Sequence, residues 1–310
     1  MSYYTPKEIA ENAVKTYGLK AAMPASKILA LGFLAGGFIA LGAEAATLAA
    51  HDASGVGIGR LISGLVFSTG LMMVMIAGAE LFTGNVLIWM DFLERKVGVN
   101  AMLRNWTLVW LSNFAGAVVV ASMMDLSGLW NTNEAHVGAY VLKTAVGKLS
   151  LTYTEAFVRG IFCNWMVCLG VWMAYSAKDT AGKVLAILFP ITLFVLSNFE
   201  HCVANMYYIP AAIFAKANIA AVEASHLGDK LDLLTWSNFI VNNLVPVTLG
   251  NIVGGALFVG SFYWFTYLRG QKPTPAPAAT VPFSVAKCPV IAACPATTLA
   301  GSKGSLSAAE

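Results

Sequence analysis

Seven long stretches of this chain carry no Lys, Arg, Asp or Glu: Ile28–Ala43, Leu61–Ala79, Asn105–Met124, Gly160–Ala177, Val184–Phe199, Cys202–Ala215 and Leu233–Tyr267. A helix of roughly 20 mainly apolar residues spans a bilayer, and in lipid the backbone must satisfy its own hydrogen bonds. The first stretch runs on past Glu44 to Ala50 and is long enough. The fifth and sixth are short and separated only by Glu200-His201, so they read as one broken span. Leu61–Met90 reads the same way, broken near Glu80-Leu-Phe-Thr-Gly-Asn85. The last stretch holds a span over about Val241–Tyr267, with Trp236 and Asn238 as an interfacial lead-in. The expectation is an all-α membrane protein of six transmembrane helices, two of them discontinuous.

Composition excludes the alternatives. Of 310 residues 58% are hydrophobic and 11% charged, against roughly 25% charged in a soluble domain. Too little charge is present to cover a soluble enzyme, and too much apolar residue for a disordered chain. A net charge of +3 suggests no nucleic-acid partner. The five cysteines form no CxxC and no Cys/His zinc spacing, so no disulfide framework, metal or other cofactor is expected. The N-terminus has Lys7, Lys15 and Lys20 but no early apolar core, which argues against a removable signal peptide.

Basic residues set the orientation. The N-terminal segment, Arg95, Lys96, Arg104, Lys178, Lys183, Arg269 and Lys272 fall on one side; Arg60, Lys143, Lys148, Arg159, Lys216 and Lys230 fall on the other. The first set is larger and sits in short loops, which places both termini in the cytoplasm of a cell with a plasma (bacterial inner) membrane. Thr5-Pro-Lys-Glu8 is a capping box with Pro at the first helical position. Ile9, Ala13, Val14 and Tyr17 share one face, so residues 1–24 should hold a cytoplasmic amphipathic helix lying on the bundle rather than plugging it. Residues 25–269 would be the channel domain, and 270–310, rich in Ala, Pro, Ser and Thr, a disordered cytoplasmic tail.

The chain repeats itself. Glu80-Leu-Phe-Thr-Gly-Asn85 aligns with Glu200-His-Cys-Val-Ala-Asn205, and Asn105…Asn113-Phe-Ala-Gly116 aligns with Asn243…Asn251-Ile-Val-Gly254. Gly32 and Gly42 pair with Gly160 and Gly170. The halves cover about 27–125 and 155–268. Three spans per half is odd, so the second half enters the membrane from the opposite side as an inverted repeat.

A broken helix in lipid survives only inside protein or against a water-filled cavity. Two breaks at equivalent places meet near the midplane, and the half-helices beginning after Thr83 and after His201 aim positive ends inward. That favours an anion pathway. Glu80 and Glu200, each costing roughly 2.5–3.5 kcal/mol at membrane depth, read as structural pins. Asn85, Asn205, Asn113 and Asn251 read as interhelical hydrogen-bond glue. His201 is different: its repeat counterpart is Leu81, and no other histidine sits in a break. It can donate to an anion's oxygen and act as a proton partner. Phe67, Leu71, Phe82 and Phe194 surround the breaks as candidate apolar constrictions. Thr83 offers a hydroxyl within the first.

Four segments carry a family resemblance. Glu80-Leu-Phe-Thr-Gly-Asn85, Phe162-Cys-Asn-Trp-Met-Val-Cys168, Phe199-Glu-His-Cys-Val-Ala-Asn-Met206 and Leu249-Gly-Asn-Ile-Val-Gly-Gly255 resemble the formate/nitrite transporter family over about residues 5–269. The resemblance implies an aquaporin-like protomer with its own pore, assembled as a homopentamer. It implies that Thr83 is the gating-loop threonine, His201 the central histidine and Lys148 the vestibule lysine. Phe82, Phe67, Leu71 and Phe194 match the hydrophobic constrictions. Asn205 then belongs to the substrate pathway and Asn164, within the second motif, to the structural polar set. Ser150 and Leu151 stand where formate-type members often carry two histidines. Asn-Pro-Ala signatures are absent, so water or glycerol is not the expected cargo.

The expected function is a channel or transporter, not an enzyme, for a small monovalent anion. Formate is preferred, with nitrite and hydrosulfide open, and passage is linked to protons past His201. A membrane subunit of a redox enzyme would need axial histidine pairs inside helices, and His201 has no such mate at depth.

Overall fold

A computed structural model of the chain describes residues 3–270. The expected tail, with Cys288 and Cys294, lies outside the described residues. Within them the chain is helical: α1 Pro6–Ala21, α2 Ala25–Ala50, α3 Val56–Gly78, α4 Phe82–Leu93, α5 Val99–Ser127, α6 His136–Leu149, α7 Tyr153–Ser176, α8 Thr180–Leu196, α9 Cys202–Ala215, α10 Ile219–Ser225 and α11 Trp236–Tyr267. Helices α2, α3, α5, α7 and α11 are each long and apolar enough to cross a bilayer, and α4, α8 and α9 are shorter apolar helices. The two broken spans are therefore α3 with α4 and α8 with α9. The chain is a membrane protein.

The first break occupies Ala79–Leu81, where Ala79 and Leu81 are extended. Gly78 precedes it at φ +89° with open space around its missing Cβ, so the left-handed backbone is what calls for glycine. Asn198, at φ +56°, turns the chain after α8, and His201 is extended before α9. The first half-helix starts at Phe82, so Thr83 lies within its first turn and not ahead of it.

Close packing holds the frame. A Cβ on Gly36 or Gly116 would sit 2.1 Å from Asn113 O or 2.0 Å from Phe33 O, so α2 and α5 touch backbone to backbone. On α11 a Cβ on Gly250 or Gly254 would sit 2.1 Å from Phe157 O or 2.2 Å from Ile161 O of α7. Small residues at these crossings are how membrane helices gain contact without a hydrophobic driving force.

The Thr5–Glu8 capping box is present: Glu8 N–H donates to Thr5 Oγ1 at 3.4 Å and Thr5 N–H to Glu8 Oε2 at 2.7 Å. Those bonds hold the Glu8 carboxyl below its usual range. Ile9, Ala10, Ala13, Val14 and Tyr17 are buried. Helix α1 is more than a surface strap, however, because its Lys20 reaches 2.8 Å from Glu80. Helix α6 is an element the charge-free stretches did not outline.

Candidate functional site: two cavities around a histidine

The polar groups of the two halves correspond pair by pair. Asn113 Nδ2 donates to Gly32 O and Glu80 O at 2.8 and 2.9 Å, while its Oδ1 accepts Phe82 N–H at 2.9 Å. Asn251 Nδ2 donates to Gly160 O and Glu200 O at 2.8 and 2.9 Å, and its Oδ1 accepts Cys202 N–H at 2.9 Å. Each asparagine thus satisfies the backbone that a break leaves exposed.

The carboxylates repeat as well. Glu80 takes Lys20 Nζ at 2.8 Å and Asn85 Nδ2 at 2.7 Å; Glu200 takes Lys148 Nζ at 2.9 Å and Asn205 Nδ2 at 2.7 Å. Asn85 and Asn205 each donate onward, to Asn105 at 2.9 Å and Asn243 at 2.8 Å. Asn105 returns a bond to Lys20 O at 3.0 Å, and Asn243 to Lys148 O at 3.3 Å. Lys20 and Lys148 stand at the same distance before Gly32 and Gly160. The correspondence therefore extends beyond the expected repeat limits, back into α1 and α6.

His201 departs from this symmetry. Its Nδ1 accepts Ala204 N–H at 3.0 Å and so caps α9. A ring nitrogen that accepts from a backbone N–H is unprotonated, so the proton of the neutral ring is on Nε2. Nε2–H then donates to Thr83 Oγ1 at 2.9 Å. The two breaks are joined by this bond. Thr83 is held from behind, since its carbonyl accepts Asn164 Nδ2 at 3.2 Å and Cys168 Sγ–H at 3.4 Å. Asn164 also donates to Asn251 O at 2.7 Å.

The half-helix termini offer less to a ligand than the sequence suggested. The first amides, of Phe82 and Cys202, are taken by Asn113 and Asn251, and that of Ala204 by His201. The fixed donor at the centre is the imidazole and its threonine.

A cavity of about 330 Å³ opens onto His201 from the side of Arg60, Lys143 and Lys148. At its inner end Phe67 and Phe194 meet edge to face at 5.7 Å, and the Phe194 ring lies 5.9 Å from that of His201. A second cavity of about 20 Å³, room for about one water, is lined by Tyr17, Lys20, Leu71, Leu81 and Asn85. The two share no wall residue. Phe67 and Leu71, one turn apart on α3, stand on opposite sides of the closure, so it is about 6 Å deep along that helix.

This arrangement has known counterparts. Residues 7–265 match the formate/nitrite transporter family. The chain belongs to that family. Among curated relatives it is 41% identical to a probable formate transporter of Methanothermobacter thermautotrophicus, over 86% of this chain and 98% of the relative. It is 40% identical to the formate channel FocA of Haemophilus influenzae, over 83% of this chain and 93% of the relative. Among solved structures, a pentameric formate channel with formate bound superposes at a TM-score of 0.71 and 37% identity, covering 79% of this chain and 98% of that one. These relatives are named as channels and transporters, not enzymes.

As a formate/nitrite transporter family member, the chain has its expected site residues in distinct places. His201, Lys148, Phe67 and Phe194 line the larger of these two cavities and Leu71 the smaller one. Thr83 is buried behind His201. Phe82 and Asn205 are buried but line neither cavity; Phe82 is tied to Asn113 and Asn205 to the Glu200 network. Leu81, Tyr17 and Lys20 on the smaller cavity were not expected there. Leu81 had a signal, since it occupies the repeat position of His201.

Proposed function

We propose that this chain is a formate channel in which the anion crosses as formic acid, taking up its proton beside His201. Carrying the anion bare through an apolar closure costs tens of kcal/mol before relaxation. Protonating an acid of pKa ~4 at pH 7 costs only about 4 kcal/mol. The observation that carries the reading is the position of His201: it ends a cavity open to water and ions, at the face of Phe67 and Phe194. Formate in the cavity passes Lys148 and competes with Thr83 for Nε2–H. It takes a proton there from hydronium reaching the cavity water, while Nε2–H stays on the ring as a hydrogen-bond donor. It crosses between Phe67 and Leu71 as the neutral acid and returns the proton to water near Lys20.

The protomer sits in the plasma (bacterial inner) membrane with both termini cytoplasmic, its halves inverted and five copies assembled, each with its own pore. The basic residues support the orientation, and the pentameric solved relative supports the assembly. Phe82 and Asn205 serve the pathway by fixing its walls. Formate rather than nitrite or hydrosulfide is favoured by the relatives' names.

The test is formate flux into liposomes across pH 5–8 for the wild type and His201→Phe. Wild-type flux should rise as pH falls, and His201→Phe should lose the proton-coupled component. Undiminished proton-coupled uptake in that variant would overturn the reading.

A further inference from the structure

Of the three cations on the wall of this cavity, one carries little uncompensated charge. Lys148 is bonded to a fully buried Glu200 at 2.9 Å, and its ammonium lies 5.5 Å from the Tyr208 ring. An ion pair of that geometry is close to neutral from a distance. Two other cations line the same cavity: Arg60 of α3 and Lys143 of α6. Both side chains are exposed, and neither forms a salt bridge or hydrogen bond with any described residue. Beside them on the wall are the hydroxyls of Tyr140 and Thr144, neither of which forms a side-chain hydrogen bond with a described residue.

We infer that Arg60 and Lys143 form an outer anion-binding site, which captures hydrated carboxylates before they reach Lys148 and His201. The inference rests on the proposed reading of the cavity as the anion's way in. A cleft lined by one sign of charge between low-dielectric walls concentrates counter-ions. Its volume of about 330 Å³ equals about eleven waters at ~30 Å³ each, so an anion enters with its hydration shell. The hydroxyls replace part of that shell, and the two cations replace its counter-ion. Unlike the closure beyond, this site has no reason to reject a dianion. A small dicarboxylate binds here and, unable to pass, blocks.

Initial formate influx is measured in proteoliposomes at ~10 mM and ~150 mM ionic strength, with and without external malonate. The proteins compared are the wild type, Arg60→Gln/Lys143→Gln, Lys143→Gln alone and the conservative Arg60→Lys/Lys143→Arg. In the wild type the half-saturating formate concentration should rise with salt, and malonate should compete. The double Gln variant should show that concentration raised about 3–10-fold at low salt, flat with salt, insensitive to malonate and with an unchanged maximal rate. Lys143→Gln should fall between, and the conservative variant should match the wild type. A double Gln variant that moves formate with the wild-type salt dependence and malonate inhibition overturns this site while leaving the channel reading intact. A wild type that moves no formate overturns both.

Discussion

His201 Nε2 and Thr83 Oγ1 lie 2.9 Å apart and join the two broken spans through one hydrogen bond. Because Nδ1 of the same ring is occupied by Ala204 N–H, the direction of that bond is set: histidine donates, threonine accepts. Thr83→Val removes the acceptor and leaves a buried donor unpaired, at a cost of about 1–3 kcal/mol. Chemical unfolding in detergent should show a loss of that size, with reduced formate flux. Thr83→Ser keeps the hydroxyl and should restore both.

The two nitrogens can be separated by substitution. Asparagine caps a helix through its side-chain oxygen but cannot reproduce Nε2–H. His201→Asn should therefore keep α9 and fold, with a stability loss of about 1–3 kcal/mol for the buried Thr83 hydroxyl left without its partner, yet lose proton-linked formate uptake. Uptake with an unaltered pH profile in that variant would mean the ring donor is dispensable.

The lysine–glutamate pairs predict matched effects in the two halves. Lys148→Met strands Glu200 as a buried charge, and Lys20→Met does the same to Glu80. Losing one partner of a buried pair costs about 3–5 kcal/mol. Each single variant should show that loss in urea unfolding. Lys148→Met/Glu200→Gln and Lys20→Met/Glu80→Gln should each recover most of it.

Glycine positions separate into required and free. Gly116→Ala and Gly254→Ala would drive a methyl to within 2.0 and 2.2 Å of carbonyl oxygens on the partner helix. They should destabilise by more than the ~1–3 kcal/mol of ordinary overpacking, seen as a fall in folded yield and melting temperature. Gly57, in the first turn of α3, has nothing within 4 Å of its Cβ position. Gly57→Ala should be neutral or stabilise by up to ~1 kcal/mol.

Much of this was legible before any coordinates. Charge-free stretches outline the spans because lipid admits no uncompensated charge, and the breaks appear where Glu80 and Glu200 interrupt them. Asn113 and Asn251 were readable as glue from their matched spacing, though their three bonds apiece were not. Helix α6 was hidden because Lys143 and Lys148 interrupt its apolar residues. Its buried face, Val137, Val141, Leu142, Ala145, Val146 and Leu149, repeats at helical spacing and was available as a signal. Lys20 was counted only as a charge that sets orientation. Its partner lies 60 residues away, a distance across which local pattern carries no information. Arg60 and Lys143 were likewise counted for topology, since only the fold brings them to one cavity with Lys148.

Lys20 and Lys148 change what counts as one unit of this molecule. Each belongs to a helix that precedes three spans and neutralises the glutamate in the break of the second. The segment written twice is thus an amphipathic helix plus three crossings, and α1 is to the first copy what α6 is to the second. An ancestor of half this length would already have held its own countercharge. Duplication would then have joined two electrically complete pieces, and divergence inside the breaks, a leucine against His201 and a valine against Thr83, would have made the one bond that now ties the copies together.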